Sequence, residues 1–202
     1  MSLFRELFGP PLRECWQAFS ESAGGRYQET GFWGRPRVVF PHGRFVIALE
    51  LYDEPHGRHS TRYTRFRAVY RDLDGLRFKI YRPGFFTELA LWLGAQNLDV
   101  GHPDFDRQFI LKGNDSADLT HLFDDQRLRE LLALQQEPRL EACRDEFWFQ
   151  ATLPDGEAEL RYLERGVIKD RLTLQQILDL MKACLDRLCE IGSARAPDTK
   201  KC

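Results

Sequence analysis

Between Arg26 and Arg82 the side chains alternate with a period of two, and this pattern constrains the fold more than any other part of the chain. In one such stretch Ile47 and Leu49 fall on one side, whereas Arg44 and Glu50 fall on the other. This alternation is typical of strands that bury one face. The pattern predicts an antiparallel meander of about five strands, close to the usual sheet size. These strands are expected over residues 27–32, 37–40, 45–51, 61–70 and 76–81.

Helical spacing of apolar residues appears on both sides of this region. It predicts helices over residues 2–23, 85–95 and 126–136, and a short helix capped by Asp115 or Ser116. A long C-terminal helix is predicted to open with a capping box at Thr173 and Gln176 and to end at Gly192. A second, smaller group of strands is expected over residues 139–143, 146–152 and 158–163. The order of elements indicates an α+β fold, with an antiparallel sheet packed by helices.

Composition predicts one globular domain over residues 1–192 and a disordered tail over residues 193–202. With 43% hydrophobic and 30% charged residues, a chain of 202 residues can build one sizeable core. The sequence has no apolar run near the roughly 20 residues that a bilayer span requires. Its five cysteines include no CxxC pair, which favours reduced thiols over a disulfide framework. We therefore expect a soluble, cytoplasmic protein.

The segment Asn97–Phe123, called the hub here, concentrates polar residues that are costly to bury unpaired. His102, Asp104 and Asp106 offer one imidazole and two carboxylates around a Gly-Pro turn, a set that a divalent cation can use. These three residues are the candidate catalytic groups of a metal-dependent hydrolase. Hydrogen bonds to nearby backbone amides are the more ordinary use of such residues in turns, so the sequence assigns no metal site.

A basic surface is the stronger binding candidate. Residues 35–82 contain 11 basic and 5 acidic residues, although the sequence pI is about 6.2. If strands 61–70 and 76–81 pair through the turn Asp72–Gly75, one side of the sheet carries four cations flanked by two tyrosines. The predicted binding residues are Arg65, Arg67, Arg77, Lys79, Tyr63 and Tyr81. Such a surface suits an anionic ligand, whereas the low pI argues against nucleic acid. The simpler alternative is a solvated face that Glu50 neutralises.

Three segments carry a resemblance to other proteins. They are RYTRFRA at residues 62–68, LDVG at residues 98–101 and FDRQFILKGND at residues 105–115; the last two belong to the hub stretch LDVGHPDFDRQFILKGND. Together they resemble a group of uncharacterised bacterial proteins of similar length. The Phe105 and Phe109 element, with the turn and Leu-rich helix after it, is similar to the soluble part of a larger bacterial family of unknown function. That family often carries membrane-spanning segments. The resemblance implies no activity, cofactor or catalytic residue.

These features favour a non-catalytic cytoplasmic module that binds another protein or an anionic ligand, with no cofactor. The sequence contains no Gly-x-Ser-x-Gly elbow, phosphate loop or dinucleotide fingerprint. One alternative is the metal-dependent hydrolase centred on His102, Asp104 and Asp106. Another is a small-ligand pocket between the sheet and the last helix, lined by aromatic residues; the candidates are Trp16, Trp92 and Trp148.

Overall fold

The computed structural model describes residues 10–30, 35–83, 97–144 and 153–197. The strands are β1 Arg26–Thr30, β2 Arg35–His42, β3 Phe45–His56, β4 His59–Asp72, β5 Phe78–Tyr81, β6 Ile110–Gly113, β7 Arg139–Cys143, β8 Glu157–Arg165 and β9 Ala194–Arg195. The helices are α1 Leu12–Ala23, α2 Pro103–Gln108, α3 Ser116–Phe123, α4 Gln126–Ala133 and α5 Arg171–Glu190.

All nine strands belong to one antiparallel sheet. Its spatial order is β1-β2-β3-β4-β8-β7-β5-β6, and the short β9 pairs with the end of β4. The two predicted strand groups are therefore parts of a single sheet, with the second group inserted between strands of the first. The predicted α+β class, with an antiparallel sheet packed by helices and a long C-terminal helix, is confirmed.

The turn after β4 does not join neighbouring strands, so the predicted pairing of strands 61–70 and 76–81 is wrong. Asp72 accepts a hydrogen bond from the Gly75 N–H at 2.9 Å and from Arg77 Nη2 at 2.5 Å. These bonds form a local turn but do not fix where the next strand lies. β8 and β7 separate β4 from β5, because β4 pairs with β8 and β5 pairs with β7.

Strict register sorts the side chains of the sheet into two faces. On the apolar face, two rows of cross-strand neighbours run from β2 to β6. Their members are Val38, Leu49, Phe66, Tyr162, Leu140, Ile80 and Leu111 in one row, and Phe40, Ile47, Ala68, Leu160, Ala142, Phe78 and Gly113 in the other. Helices α1, α3, α4 and α5 contribute residues to the same hydrophobic core. Gly113 is required here, because a Cβ atom would lie 2.3 Å from the Leu119 side chain.

Side-chain caps set the starts of three helices on this apolar face. Asp115 caps α3, as predicted, by accepting from the N–H groups of Ala117 and Asp118. The predicted capping box at Thr173 is wrong, because α5 begins earlier and is capped by Asp170, which accepts from the Thr173 N–H at 2.8 Å. Asp125 caps α4 in the same manner. The caps satisfy backbone donors that a helix leaves unpaired at its start.

Several predicted elements change their bounds or lie outside the described residues. The predicted helix over 85–95, the strand over 146–152 and the first part of the helix over 2–23 are outside. The loop between the predicted strands 45–51 and 61–70 is only a two-residue turn, because β3 continues to His56 and β4 begins at His59. Ala194 and Arg195, predicted as part of the tail, pair with β4. Within the described part of the chain, no helix has the length and apolar character needed to cross a membrane.

Candidate ligand-binding face

The opposite side of the sheet, called the polar face here, carries charged side chains at the positions that alternate with the apolar rows. Six cations and four carboxylates of this face are joined by ion pairs of 4 Å or less. They are Arg37, Arg65, Arg67, Lys79, Arg139 and Arg161, with Glu50, Glu54, Glu141 and Glu159. Most are buried, which is unusual for charged residues unless they are paired.

The Glu141 cluster occupies the part of the polar face formed by β7, β8 and β5. The Glu141 carboxylate is 2.8 Å from Lys79 Nζ, 2.5 Å from Arg139 Nε and 2.7 Å from Arg161 Nη2. Arg139 also donates two hydrogen bonds of 3.1 Å to the carboxylate of Glu54. This bidentate pair links β7 to β3, which lie on opposite sides of β4 and β8. The cluster therefore ties the middle of the sheet together.

Charge interactions outweigh burial for Glu141 and Arg161, whereas burial prevails for Lys79. Burial by itself would raise the pKa of Glu141, but Arg161, Arg139 and Lys79 hold that pKa far below its usual range. Burial would likewise lower the pKa of Arg161, whereas the Glu141 carboxylate holds it above the ordinary arginine value. The pKa of Lys79 is lowered, since burial there exceeds the attraction of Glu141. Glu141 thus remains ionised at any physiological pH.

The Glu50 cluster lies beside it, on β2, β3, β4 and β8. The Glu50 carboxylate is 2.5 Å from Arg65 Nη2, 2.9 Å from Arg67 Nε and 3.8 Å from Arg37 Nε. Arg67 also donates to Glu159 at 3.0 Å. One carboxylate therefore faces three guanidinium groups, and Glu159 pairs with one of them.

Arg37 is the least satisfied member of the Glu50 cluster. Its Nε atom is buried and has no hydrogen-bond partner among the described residues. The distance of 3.8 Å to Glu50 Oε2 exceeds that of a hydrogen bond, although it permits an ionic attraction. A buried N–H donor without a partner costs about 1–3 kcal/mol. Arg37 Nε is therefore an unsatisfied donor within the Glu50 cluster.

A cavity of about 410 Å³ opens next to the Glu50 cluster. Its lining includes Arg35, Glu50, Tyr52, Asp53 and Arg65. The Arg65 guanidinium carbon lies 4.5 Å from the centroid of the Tyr52 ring, a cation–π contact that fixes the plane of the guanidinium. The cavity is thus bordered by two cations and two carboxylates, and one of the cations, Arg65, packs on the Tyr52 ring.

Two tyrosines of this face, Tyr52 and Tyr63, pack with Leu163 in a small hydrophobic cluster separate from the main core. Burial, followed by the charge of Glu54, raises the pKa of both phenols. Both rings are therefore neutral at physiological pH, and they supply apolar contact area beside the charged groups.

The predicted basic residues divide into two groups in the structure. Arg65 and Arg67 lie in the Glu50 cluster and Lys79 in the Glu141 cluster, with Tyr63 and Tyr81 on the same polar face. These residues share one face because β8 and β7 pair with each other between β4 and β5. The turn that the sequence suggested does not bring them together.

Arg77 is separate from these residues. It precedes β5 and pairs with Asp72 in the turn that follows β4. Glu50 does pair with Arg65, as the simpler alternative expected. Arg65 is buried, whereas Glu50, Arg37 and Arg67 are partly exposed.

The three hub candidates do not converge on one point. Asp106 accepts hydrogen bonds of 3.0 Å from the backbone N–H groups of Val100 and His102. Asp104 is exposed and pairs with Arg107, one turn along α2. Within the described ranges, no group of three or more His, Cys, Asp or Glu side chains is arranged to hold a metal ion.

The His102 ring has its own partners. Its Nε2 atom lies 3.1 Å from Asp124 Oδ1 and 2.9 Å from Arg129 Nη1, which also donates to the Phe123 carbonyl. These contacts connect the start of α2 with the junction between α3 and α4. In this arrangement the hub residues hold helices against the apolar face.

Trp16, a candidate for the alternative small-ligand pocket, is a core residue in the structure. Its side chain is fully buried, and its indole Nε1 donates to the Ile168 carbonyl at 3.0 Å. Trp92 and Trp148 lie outside the described residues.

Six charged residues of the two clusters were missed by the sequence analysis. They are Arg37, Glu54, Arg139, Glu141, Glu159 and Arg161. A signal was present, because charged residues recur at alternate positions in β7 and β8, between apolar residues. What the sequence did not contain was the position of these two strands between β4 and β5.

Comparisons with protein-family models, with curated proteins and with solved structures find no match to this chain.

Proposed function

We propose that this chain is a non-catalytic binding module that holds an anionic ligand at the Glu50 cluster and the cavity beside it. The observation that carries the proposal is the shared carboxylate of Glu50, which faces Arg37, Arg65 and Arg67. Arg37, whose buried Nε makes no hydrogen bond to the described residues, is one of the cations of this group. Guanidinium groups bind carboxylates and phosphates through paired N–H donors, so this surface suits either class.

The physical reason is the cost of burying unbalanced charge. Arg67 and Arg161 are direct cross-strand neighbours, and like charges at such positions destabilise a sheet unless anions separate them. Glu159 pairs with Arg67, and Glu141 pairs with Arg161. An anion bound near the Glu50 cluster would be attracted by the three guanidinium groups that share one carboxylate, and this attraction would be stronger where water is excluded.

A cytoplasmic location is part of the same proposal. The cysteines of the described residues are free thiols, at positions 15, 143, 184 and 189. Free thiols persist in reducing compartments, whereas exported domains of this size commonly carry disulfides. Burial raises the pKa of the Cys184 thiol, which makes it a packing residue.

The test is an NMR titration of the arginine Nε–Hε signals with pyrophosphate at low salt. We expect the signals of Arg37, Arg65 and Arg67 to shift together, with an affinity that weakens as salt is added because the contacts are ionic. The Arg37→Gln variant should lose most of the affinity. The matched control is Arg107→Gln, which removes the same charge from α2 at the opposite side of the sheet, where α2 packs with β6.

Shifts that fail to appear at the Glu50 cluster, or equal losses in the Arg37→Gln and Arg107→Gln variants, would contradict the proposal. In that case the polar face would be an internal ion-pair layer without a ligand, and a protein partner would have to be sought on other surfaces.

A further inference from the structure

The ring of His102 has two neighbours that make opposite demands on one nitrogen atom. Arg129 Nη1 lies 2.9 Å and Asp124 Oδ1 lies 3.1 Å from the Nε2 atom of the ring, and both distances are those of hydrogen bonds. A guanidinium group can only donate, so the contact with Arg129 requires an Nε2 atom that carries no proton. A carboxylate can only accept, so the contact with Asp124 requires a proton on Nε2. These two hydrogen bonds therefore exclude each other.

The protonation state of the ring decides between the two hydrogen bonds. Of the two neutral tautomers, the one that is protonated at Nδ1 can accept from Arg129, whereas the other would direct its N–H group at a guanidinium. A proton that Nε2 takes up from the solvent makes the ring a cation, which donates to Asp124 and repels Arg129. Histidine changes its charge between about pH 5 and 8, and the His102 side chain is 33% exposed, so solvent protons can reach it.

Among the described residues, Asp124 at the end of α3 and Arg129 on α4 are the charged groups that contact this ring. The carboxylates of α2 have other partners, because Asp106 accepts from two backbone N–H groups and Asp104 pairs with Arg107. β6 also packs with α2, and its charged residue, Lys112, lies on the polar face as the cross-strand neighbour of Lys79. The exchange of partners is therefore confined to three side chains.

We propose that His102 is a pH-sensitive switch in the hub, which binds Arg129 when the ring is neutral and Asp124 when it is protonated. His102 is the N-cap residue of α2, Asp124 is the C-cap residue of α3, and Arg129 lies on α4. The switch thus ties the start of α2 to α4 in the neutral state and to the end of α3 in the protonated state. The Phe123 carbonyl, 2.5 Å from Arg129 Nη1, remains as an acceptor for Arg129 after the exchange. This inference does not depend on the anionic ligand proposed above.

His42 offers a comparison within the same chain. Its Nε2 atom lies 2.7 Å from Asp186 Oδ1, and no arginine of the described residues contacts it. The neutral His42 ring therefore carries its proton on Nε2, and protonation of the second nitrogen leaves its partner unchanged. The two histidines should thus have opposite neutral tautomers, and His102 alone of this pair should exchange its partner.

The first experiment is a long-range proton–nitrogen NMR correlation of the histidine rings, which distinguishes the two neutral tautomers from the cation. At about pH 8.5, above the range in which histidine is charged, we expect His102 to be protonated at Nδ1 and His42 at Nε2. Arg129→Met removes the competing donor and should convert His102 to the tautomer protonated at Nε2, which binds Asp124. The matched control is Arg127→Met, at an exposed position of the same helix, which should leave the His102 tautomer unchanged.

The second experiment follows the Arg129 Nε–Hε signal and the backbone amide signal of Asp124 from about pH 8 to about pH 5. In the wild type both signals should shift with the midpoint of the His102 ring. His102→Gln keeps an oxygen that can accept from Arg129 but cannot take up a proton, so these shifts should be lost, whereas His42→Gln should retain them. An Nε2–H tautomer of His102 in the wild type at high pH, or shifts that persist in His102→Gln, would overturn the switch. If His102→Gln does not fold, the tautomers of the wild type and of Arg129→Met decide the question.

Discussion

The apolar and polar faces of this sheet are made by the same strands, yet they are stabilised by different interactions. On the apolar face, Phe66, Tyr162 and Ile80 are buried in one row with helices packed over them. Such burial is non-directional and contributes about 1.5–3 kcal/mol for each large side chain. On the polar face, Glu141 depends on three particular cations at particular distances. The apolar face is stabilised by burial and close packing, whereas the polar face depends on particular charged partners.

This difference indicates separate roles for the two sides of the sheet. A buried ion-pair network contributes little net stability compared with apolar side chains of similar volume, because desolvation of the charges offsets their attraction. It does provide donors whose positions are set by their ion pairs. The polar face is therefore the side of the sheet on which ligand recognition can be built, and the apolar face supplies the stability that this requires.

The largest effect is expected from a substitution on the apolar face. Phe66→Ala removes a fully buried ring from the centre of its row and should lower the free energy of unfolding by about 4 kcal/mol. Chemical denaturation monitored by circular dichroism measures the change. The matched control is Val46→Ala, at a side chain that is 56% exposed, which should change stability by less than about 0.5 kcal/mol.

A somewhat smaller loss is expected when the polar face is broken. Glu141→Gln keeps the size of the side chain but leaves Lys79, Arg139 and Arg161 without their shared carboxylate, and it should cost about 3 kcal/mol. Glu130→Gln, on the exposed side of α4, provides the control. If both variants unfold at the same denaturant concentration as the wild type, the Glu141 cluster has no stabilising role.

The pH dependence sharpens the same comparison. Because the folded-state pKa of Glu141 lies below its unfolded value, its contribution is fully present above the unfolded pKa and is lost as the pH falls toward the folded value. The stability difference between the wild type and Glu141→Gln should therefore be constant near neutral pH and shrink below about pH 4. The difference for Phe66→Ala should persist into acid. Denaturation curves measured across this range test the distinction. If it is false, the stability differences caused by Glu141→Gln and by Phe66→Ala will decline in parallel as the pH falls.

The smallest effect concerns the hub that holds helices on the apolar face. Asp115→Ala removes the cap of α3 and should cost about 1 kcal/mol. Asp104→Ala removes an exposed carboxylate that pairs with Arg107 and should change stability by less than about 0.5 kcal/mol. Thermal unfolding of the two variants tests this ranking. A larger loss for Asp104→Ala would mean that this hub residue has a role beyond its surface ion pair.

Some features of the fold and the site were readable from local sequence patterns. The alternation in β3 and β4 placed Arg65 and Arg67 on one face, and the caps and apolar spacing placed most helices. The Thr173 capping box was misplaced because Asp170, a better acceptor, lies three residues earlier. The role of Asp106 was also ambiguous, because Asp residues close together in the sequence are typical of both a turn and a metal site. In the structure its carboxylate accepts hydrogen bonds from backbone N–H groups within six residues.

By itself the sequence determined which residues are buried on one side of each strand and which helices cover them, because period and capping are local properties. The tertiary structure decided the order of the strands. Register between β4 and β8 joins residues about 90 positions apart, and it brings Glu159 to Arg67. No local preference encodes such a pairing, because it depends on how the whole apolar face closes under its helices. The charged clusters, and with them the proposed site, exist as a result of that closure.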